Sequence, residues 1–402
     1  MKLSEFGIKF LRLALRIDKH IKGYVDFYIG PKKLRKIVGN EVITSPNKLL
    51  TDCKALQKNL FKQGYEKKRE RYLEKILMAM RTSIGILNGI EISIKEQFLR
   101  LYDVVLQPVN ESELDNLKEE FNTAYGGIGS LKKRMNDLRA RRTVPEGMVF
   151  ELFKKALNIT SVRTKELLVD LLPENEHINL ELVKNNNNNK IKWTYYNWYL
   201  GNFRSRIEVN PNYNMYWTSF LPAAAHEAYP GHHTEFIVKE QRLYRELNQF
   251  EHSILLLNSP KLIISEGIAN IAVNTLFNYR EQAEISLREF CQDSSKESSI
   301  EALIAQGKVK GKQSLFGYNF AYHALIDGWS KEKLIRYATS FEILSQEIIK
   351  NRINYLLNPV HSTTAFSYNI GSKLIINKYG GFPSVKDFRD LLINPILPSG
   401  LA

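Results

Sequence analysis

Three of the chain's eight histidines fall within eight residues, in the run Ala223-Ala224-Ala225-His226-Glu227-Ala228-Tyr229-Pro230-Gly231-His232-His233. Neutral imidazole is a preferred zinc donor, and a carboxylate directly after a liganding histidine stands where it holds a water rather than the ion. The familiar HExxH spacing puts both rings on one helical face. Here the fourth residue after His226 is Pro230. At about 100° per residue, His232 would lie about 120° round an unbroken helix from His226, too far for the two rings to share an ion. Proline removes a backbone donor and clashes with the preceding turn, and glycine accepts conformations that other residues avoid, so Pro230-Gly231 predicts a local bulge. Two residues looped out would bring His232 to where the fourth residue normally stands. His233 is the competing second ligand, since seven residues return to the same face about 10 Å further along. We favour His232 and assign His233 to the pocket lining.

A third ligand is available downstream. Residues 260–272 read as an apolar helix carrying one carboxylate, Glu266. A lone acid on a buried helix is costly unless it is paired or metal-bound. Glu235 and Glu251 are its rivals, and His252 reads as an ordinary histidine. Asn270, one turn after Glu266, suits a partner that orients a liganding imidazole. Two histidines, one glutamate and an open position make the catalytic kind of zinc site, with one Zn2+. Such an ion lowers the pKa of water and polarises a carbonyl, with Glu227 as the general base. Arg204, Arg206 and Arg352 are candidates to pair with a substrate carboxylate.

The His-Glu-x-x-Pro-Gly-His-His string, Ser265-Glu266-Gly267, and the late segment Ala365-Phe366-Ser367-Tyr368-Asn369-Ile370-Gly371 together resemble the domain-of-unknown-function 885 family of gluzincin-type metallopeptidases. The resemblance spans residues 195–371. It implies His226 and His232 as ligands, Glu227 as base, Glu266 as third ligand and Tyr368 as oxyanion stabiliser. Separately, one neutral imidazole aimed at the developing charge, His323 or His361, would support Tyr368. The chain departs from the family pattern at Ile268, where an aromatic residue is usual, and at Ser362-Thr363-Thr364-Ala365, which replaces a Pro-Gly-Gln-Ala run. A third departure is His323, displaced ahead of Gly328-Trp329. The expected function is cleavage of peptide bonds in the manner of a carboxypeptidase or oligopeptidase, or of a small amide. The alternatives are an inactive relative that binds peptides or a partner, and a basic nucleic-acid-binding protein.

With 402 residues and 44% hydrophobic content, the chain is long enough for a substantial core. The net charge of +14 is spread over short clusters such as Lys67-Lys68-Arg69, which describes solvated helix faces and argues against nucleic acid as the partner. Two cysteines, Cys53 and Cys291, make neither a disulfide framework nor a thiolate zinc site, which suits a reducing compartment. Charges interrupt the apolar residues near the N-terminus and no run approaches the roughly 20 apolar residues of a membrane span, so a cytoplasmic chain is expected. The sequence assigns no oligomeric state.

Helical periodicity dominates and predicts a mainly α, multi-helical, zincin-like body, with an N-terminal lobe over 1–175 and a catalytic lobe over 176–402 forming one unit. Helices are expected over 1–28, 49–60, 65–87, 111–124, 128–142, 149–157, 161–171 and 240–257. Short antiparallel strands are expected around the asparagine run 185–189, just before the metal helix.

Overall fold

The computed structural model describes residues 3–183, 193–294, 297–344, 346–356 and 364–402, with backbone alone at 364, 365 and 367–369. Asn185–Asn189 and His361 therefore lie outside the described residues. The first amphipathic stretch is helical only over Glu5–Asp18, capped by Ser4, whose hydroxyl accepts the Gly7 N–H at 3.1 Å. Gly23, at φ +82°, then turns the chain into a strand. The described residues form five strands, β1 (Val25–Tyr28), β2 (His177–Leu182), β3 (Tyr195–Gly201), β4 (Arg204–Val209) and β5 (Ile254–Leu256). Val25 and Phe27 lie on one face of β1 and both are buried, so period-two burial prevails there over helical period.

β1 pairs antiparallel with β5, which corrects the helix expected over 240–257. After Lys239 the chain makes a π-helical run, Glu240–Glu246, then a 3-10 turn, Phe250–Ser253, before entering β5. The strand exists because its partner is more than two hundred residues away in sequence, a pairing that local periodicity does not register. In the other direction, the two helices expected over 149–157 and 161–171 are one, Glu146–Leu168, followed by a 3-10 turn.

The second sheet has the order β2-β4-β3. β3 and β4 form the expected antiparallel hairpin, and β2 joins β4 in parallel. The hairpin turns at Asn202 and Phe203, both at positive φ, in the manner that matches strand twist. The Glu240 carboxylate accepts the N–H groups of Asn202 at 3.1 Å and Phe203 at 3.4 Å, tying the sheet to the helix beside it. Ile207 and Val209 of β4 join Phe220, Leu221 and Ile237 in one core, while Phe10, Leu73, Leu77 and Phe250 lie in another that joins N-terminal helices to the segment before β5.

The protein is mainly α-helical, and among the described residues no helix is long and apolar enough to cross a membrane. Four helices matter for the site: Phe220–Glu227, His232–Lys239, Pro260–Leu276 and Thr364–Tyr379. The last two pack backbone to backbone. A Cβ placed on Gly371 would lie 1.9 Å from the Ile263 carbonyl oxygen, and one on Gly267 would lie 2.6 Å from the Gly371 carbonyl carbon. Only glycine fits at either position.

Candidate metal centre

The metal motif folds as two short helices with a break between them. Phe220–Glu227 stops at Ala228, whose φ and ψ are −121° and −94°, and His232–Lys239 starts after Gly231. Across the break the Gly231 N–H donates to the Ala225 carbonyl at 2.9 Å and the Thr234 N–H to the Ala228 carbonyl at 3.2 Å. These bonds span six residues where a helix spans four, so two residues are looped out. A Cβ on Gly231 would lie 2.1 Å from the His226 carbonyl oxygen, which makes glycine obligatory at that point.

The loop-out sets the His226 and His232 rings 4.7 Å apart, centre to centre and nearly perpendicular. Glu266 meets both from its own helix, with Oε2 3.9 Å from His226 Nε2 and Oε1 3.6 Å from His232 Nε2. One donor atom from each residue lies within 4.8 Å of the others, yet the separations are too long for hydrogen bonds among the three. Glu266 Oε2 is buried without a hydrogen-bond partner.

Surrounding groups hold the triad in place. Asn270 hydrogen-bonds His226. The Ser265 hydroxyl lies 3.3 Å from His232 Nδ1 and 2.5 Å from Glu235, and Glu235 also accepts from Lys239 at 2.6 Å. Phe236 stacks on the His232 ring. Burial, then the neighbouring His232, hold His226 neutral down to about 3, and burial holds His232 neutral to about 4. Burial raises Glu227 to about 8, with Asp26 adding to it and a backbone hydrogen bond from Asn197 opposing it. Glu266 rises likewise to about 8, by burial and then by the charges of Glu227, Asp26 and Glu235. Neutral imidazoles and mutually crowded carboxylates are the donor set that a divalent cation stabilises.

The remaining sequence candidates fall elsewhere. His233 points away from the triad: Nδ1 meets Ser205 of β4 at 2.8 Å and Nε2 meets Glu176 at 3.0 Å. Glu235 is taken by Lys239 and Ser265, and Glu251 by a two-pronged bond from Arg69 at 2.7 and 2.8 Å, which removes both as rival ligands. His252 stacks on Tyr72. His323 corrects its expected role, since Nδ1 binds Asp327 at 2.7 Å, Nε2 binds Glu111 at 2.9 Å and its face lies on Trp329. With both nitrogens engaged, it has none left to offer an oxyanion. Tyr368 lies on Thr364–Tyr379, three residues before Gly371.

Strand alternation decides the arginines on β4. Ser205 faces His233, so Arg204 and Arg206 project to the opposite face, where Arg206 pairs with Glu208 at 3.2 Å and lies over Trp198. Arg352 lies against Gly317. None of the three arginines is placed with the triad by any of these contacts. The sequence reading missed Asn197, whose side chain donates to the Glu227 carbonyl at 2.6 Å, and Asp26, whose charge bears on both Glu227 and Glu266. Nothing local to either residue signals its neighbour.

Among solved structures the chain is similar to a provisionally named lipoprotein from Colwellia psychrerythraea, at 12% identity and a TM-score of 0.55, over 89% of this chain and 66% of that one. This shared fold spans about two thirds of the longer protein. A second similar structure, a provisionally named lipoprotein of unknown function from Shewanella oneidensis, has 11% identity and a TM-score of 0.47, over 92% of this chain and 75% of that one. No family model and no curated protein matches the sequence.

Proposed function

We propose that the chain is a zinc-dependent hydrolase that cleaves peptide bonds, a metallopeptidase of the gluzincin type suggested by the motif resemblance. The observation that carries this reading is the convergence of His226, His232 and Glu266 donor atoms within 4.8 Å, with Glu266 Oε2 otherwise unpartnered. The three residues fit a zinc ion: two neutral nitrogen donors and one carboxylate oxygen, oriented from behind by Asn270 and Ser265. A bound zinc supplies Lewis acidity, polarising the scissile carbonyl and acidifying water.

Glu227 follows His226 directly. With a cation held beside it, its carboxylate is the group to take a proton from the attacking water and pass it to the leaving amine. Asn197 holds the main chain at Glu227, which fixes where that carboxylate stands. Tyr368 is the candidate donor to the oxyanion, on a helix locked against the Glu266 helix at Gly371 and Gly267.

The test is zinc content and peptide turnover of the wild type and of Glu227→Gln. The variant should keep its zinc and lose about 10²- to 10⁴-fold in turnover. Unchanged turnover would remove Glu227 from this role, and absence of bound zinc from the wild type would remove the reading as a whole.

A further inference from the structure

A cavity of about 1320 Å³ reaches Asn270, the side chain that hydrogen-bonds His226. Pro222, four residues before His226, and Asn270, four residues after Glu266, both line it. Each is one helical turn from a triad residue on the same helix. The volume exceeds the roughly 300–1,000 Å³ common for small-ligand sites, so a short peptide fits.

Its charge is lopsided. Of the five basic residues in the wall, Arg142 is neutralised by Glu297 at 2.7 Å and Lys312 by Glu120 at 2.7 Å. Arg139, Lys308 and Lys310 form no ion pair among the described residues, and Glu119 is the one unpaired acid on the wall. Lys308 and Lys310 are exposed and Arg139 is half-buried, so all three cations are accessible to a ligand. Trp217 and Tyr279 add apolar wall.

We propose that this cavity is the recognition site for a carboxylate on the substrate, bound by Arg139, Lys308 and Lys310 while the rest of the peptide extends towards the triad. The inference rests on the hydrolase reading for its substrate and replaces Arg204, Arg206 and Arg352 as the anion-binding groups. It predicts preference for acidic peptides over neutral ones. Cation-to-carboxylate hydrogen bonds are the strong, charge-assisted kind, so losing them weakens binding roughly tenfold or more.

The test uses the full chain carrying Glu227→Gln, so that bound peptide is not consumed, and reads Trp217 fluorescence or binding heat. Four probes separate the sources of charge: N-acetyl-phenylalanyl-glutamate, its C-terminal amide, N-acetyl-phenylalanyl-glutamine, and the amide of that last peptide. The doubly acidic probe should bind at least about tenfold tighter than the neutral one. That advantage should shrink with added salt and vanish in Arg139→Gln/Lys310→Gln, whose circular dichroism and zinc content should match the parent. Whichever singly acidic probe keeps the advantage identifies a side-chain or a terminal carboxylate as the ligand. Equal affinity for all four probes, no binding by any, or a preference that survives the double substitution would overturn the proposal. Turnover of neutral and acidic peptides alike by the wild type would leave the hydrolase standing and sink the cavity. A charge preference without turnover would do the reverse.

Discussion

Two adjacent histidines on one helix lead opposite lives. His233 closes a polar cluster against the sheet, where Ser205 and Glu176 take its two nitrogens, Tyr229 donates to Glu176, and Lys165 approaches the same carboxylate at 3.2 Å. His232, one residue earlier, reaches towards a histidine and a glutamate that stand close without bonding to one another or to it. A buried polar cluster that satisfies itself is part of the scaffold, whereas one whose donors converge but do not pair is shaped for something else.

The largest effect that would sharpen this contrast is expected from His232→Ala, which should lower zinc affinity by more than about 100-fold and abolish turnover. His233→Ala should keep the zinc; if the two variants lose metal equally, the contrast is wrong. Next comes Asn270→Ala, which frees the His226 ring. It should cost about 10- to 100-fold in zinc affinity with little change in thermal stability, read by competition with a chelator.

The smallest effect belongs to the scaffold cluster. Burial pushes the Glu176 carboxyl up, but hydrogen bonds from His233 and Tyr229 outweigh it and bring the group down to about 2. A group depressed in the folded state contributes stability above its unfolded pKa of roughly 4.3 and loses it as pH falls towards 2. Glu176→Gln should therefore cost about 1–3 kcal/mol near neutrality and flatten the loss of stability between pH 4 and 2. Urea unfolding across that range checks it, and an unaltered acid slope would detach Glu176 from the cluster's stability.

The site's skeleton was legible because its causes are local. Pro230 and Gly231 announce the loop-out, and Glu266 stands out as a lone acid in an apolar helix. Its rivals could be dismissed only in three dimensions, since Glu251 finds Arg69 across 182 residues. Separations of 30 and 57 residues likewise hid Asn197 behind Glu227 and Glu176 behind His233. The helix expected over 240–257 failed for a related reason: β5 is held by β1, and no pattern inside the segment records that partner. Alternation on β4 was visible, but which of its faces meets the metal helix was not, and that choice turned Arg204 and Arg206 away.

The glycine pair at 267 and 371 has a mechanical consequence. With no side chain between the two backbones to absorb a displacement, any push on the helix Thr364–Tyr379 is handed directly to the turn that bears Glu266. Engineers wishing to retune this protein should therefore leave that junction alone and work from the opposite wall, because a single methyl group there would pry the carboxylate out of register with both rings.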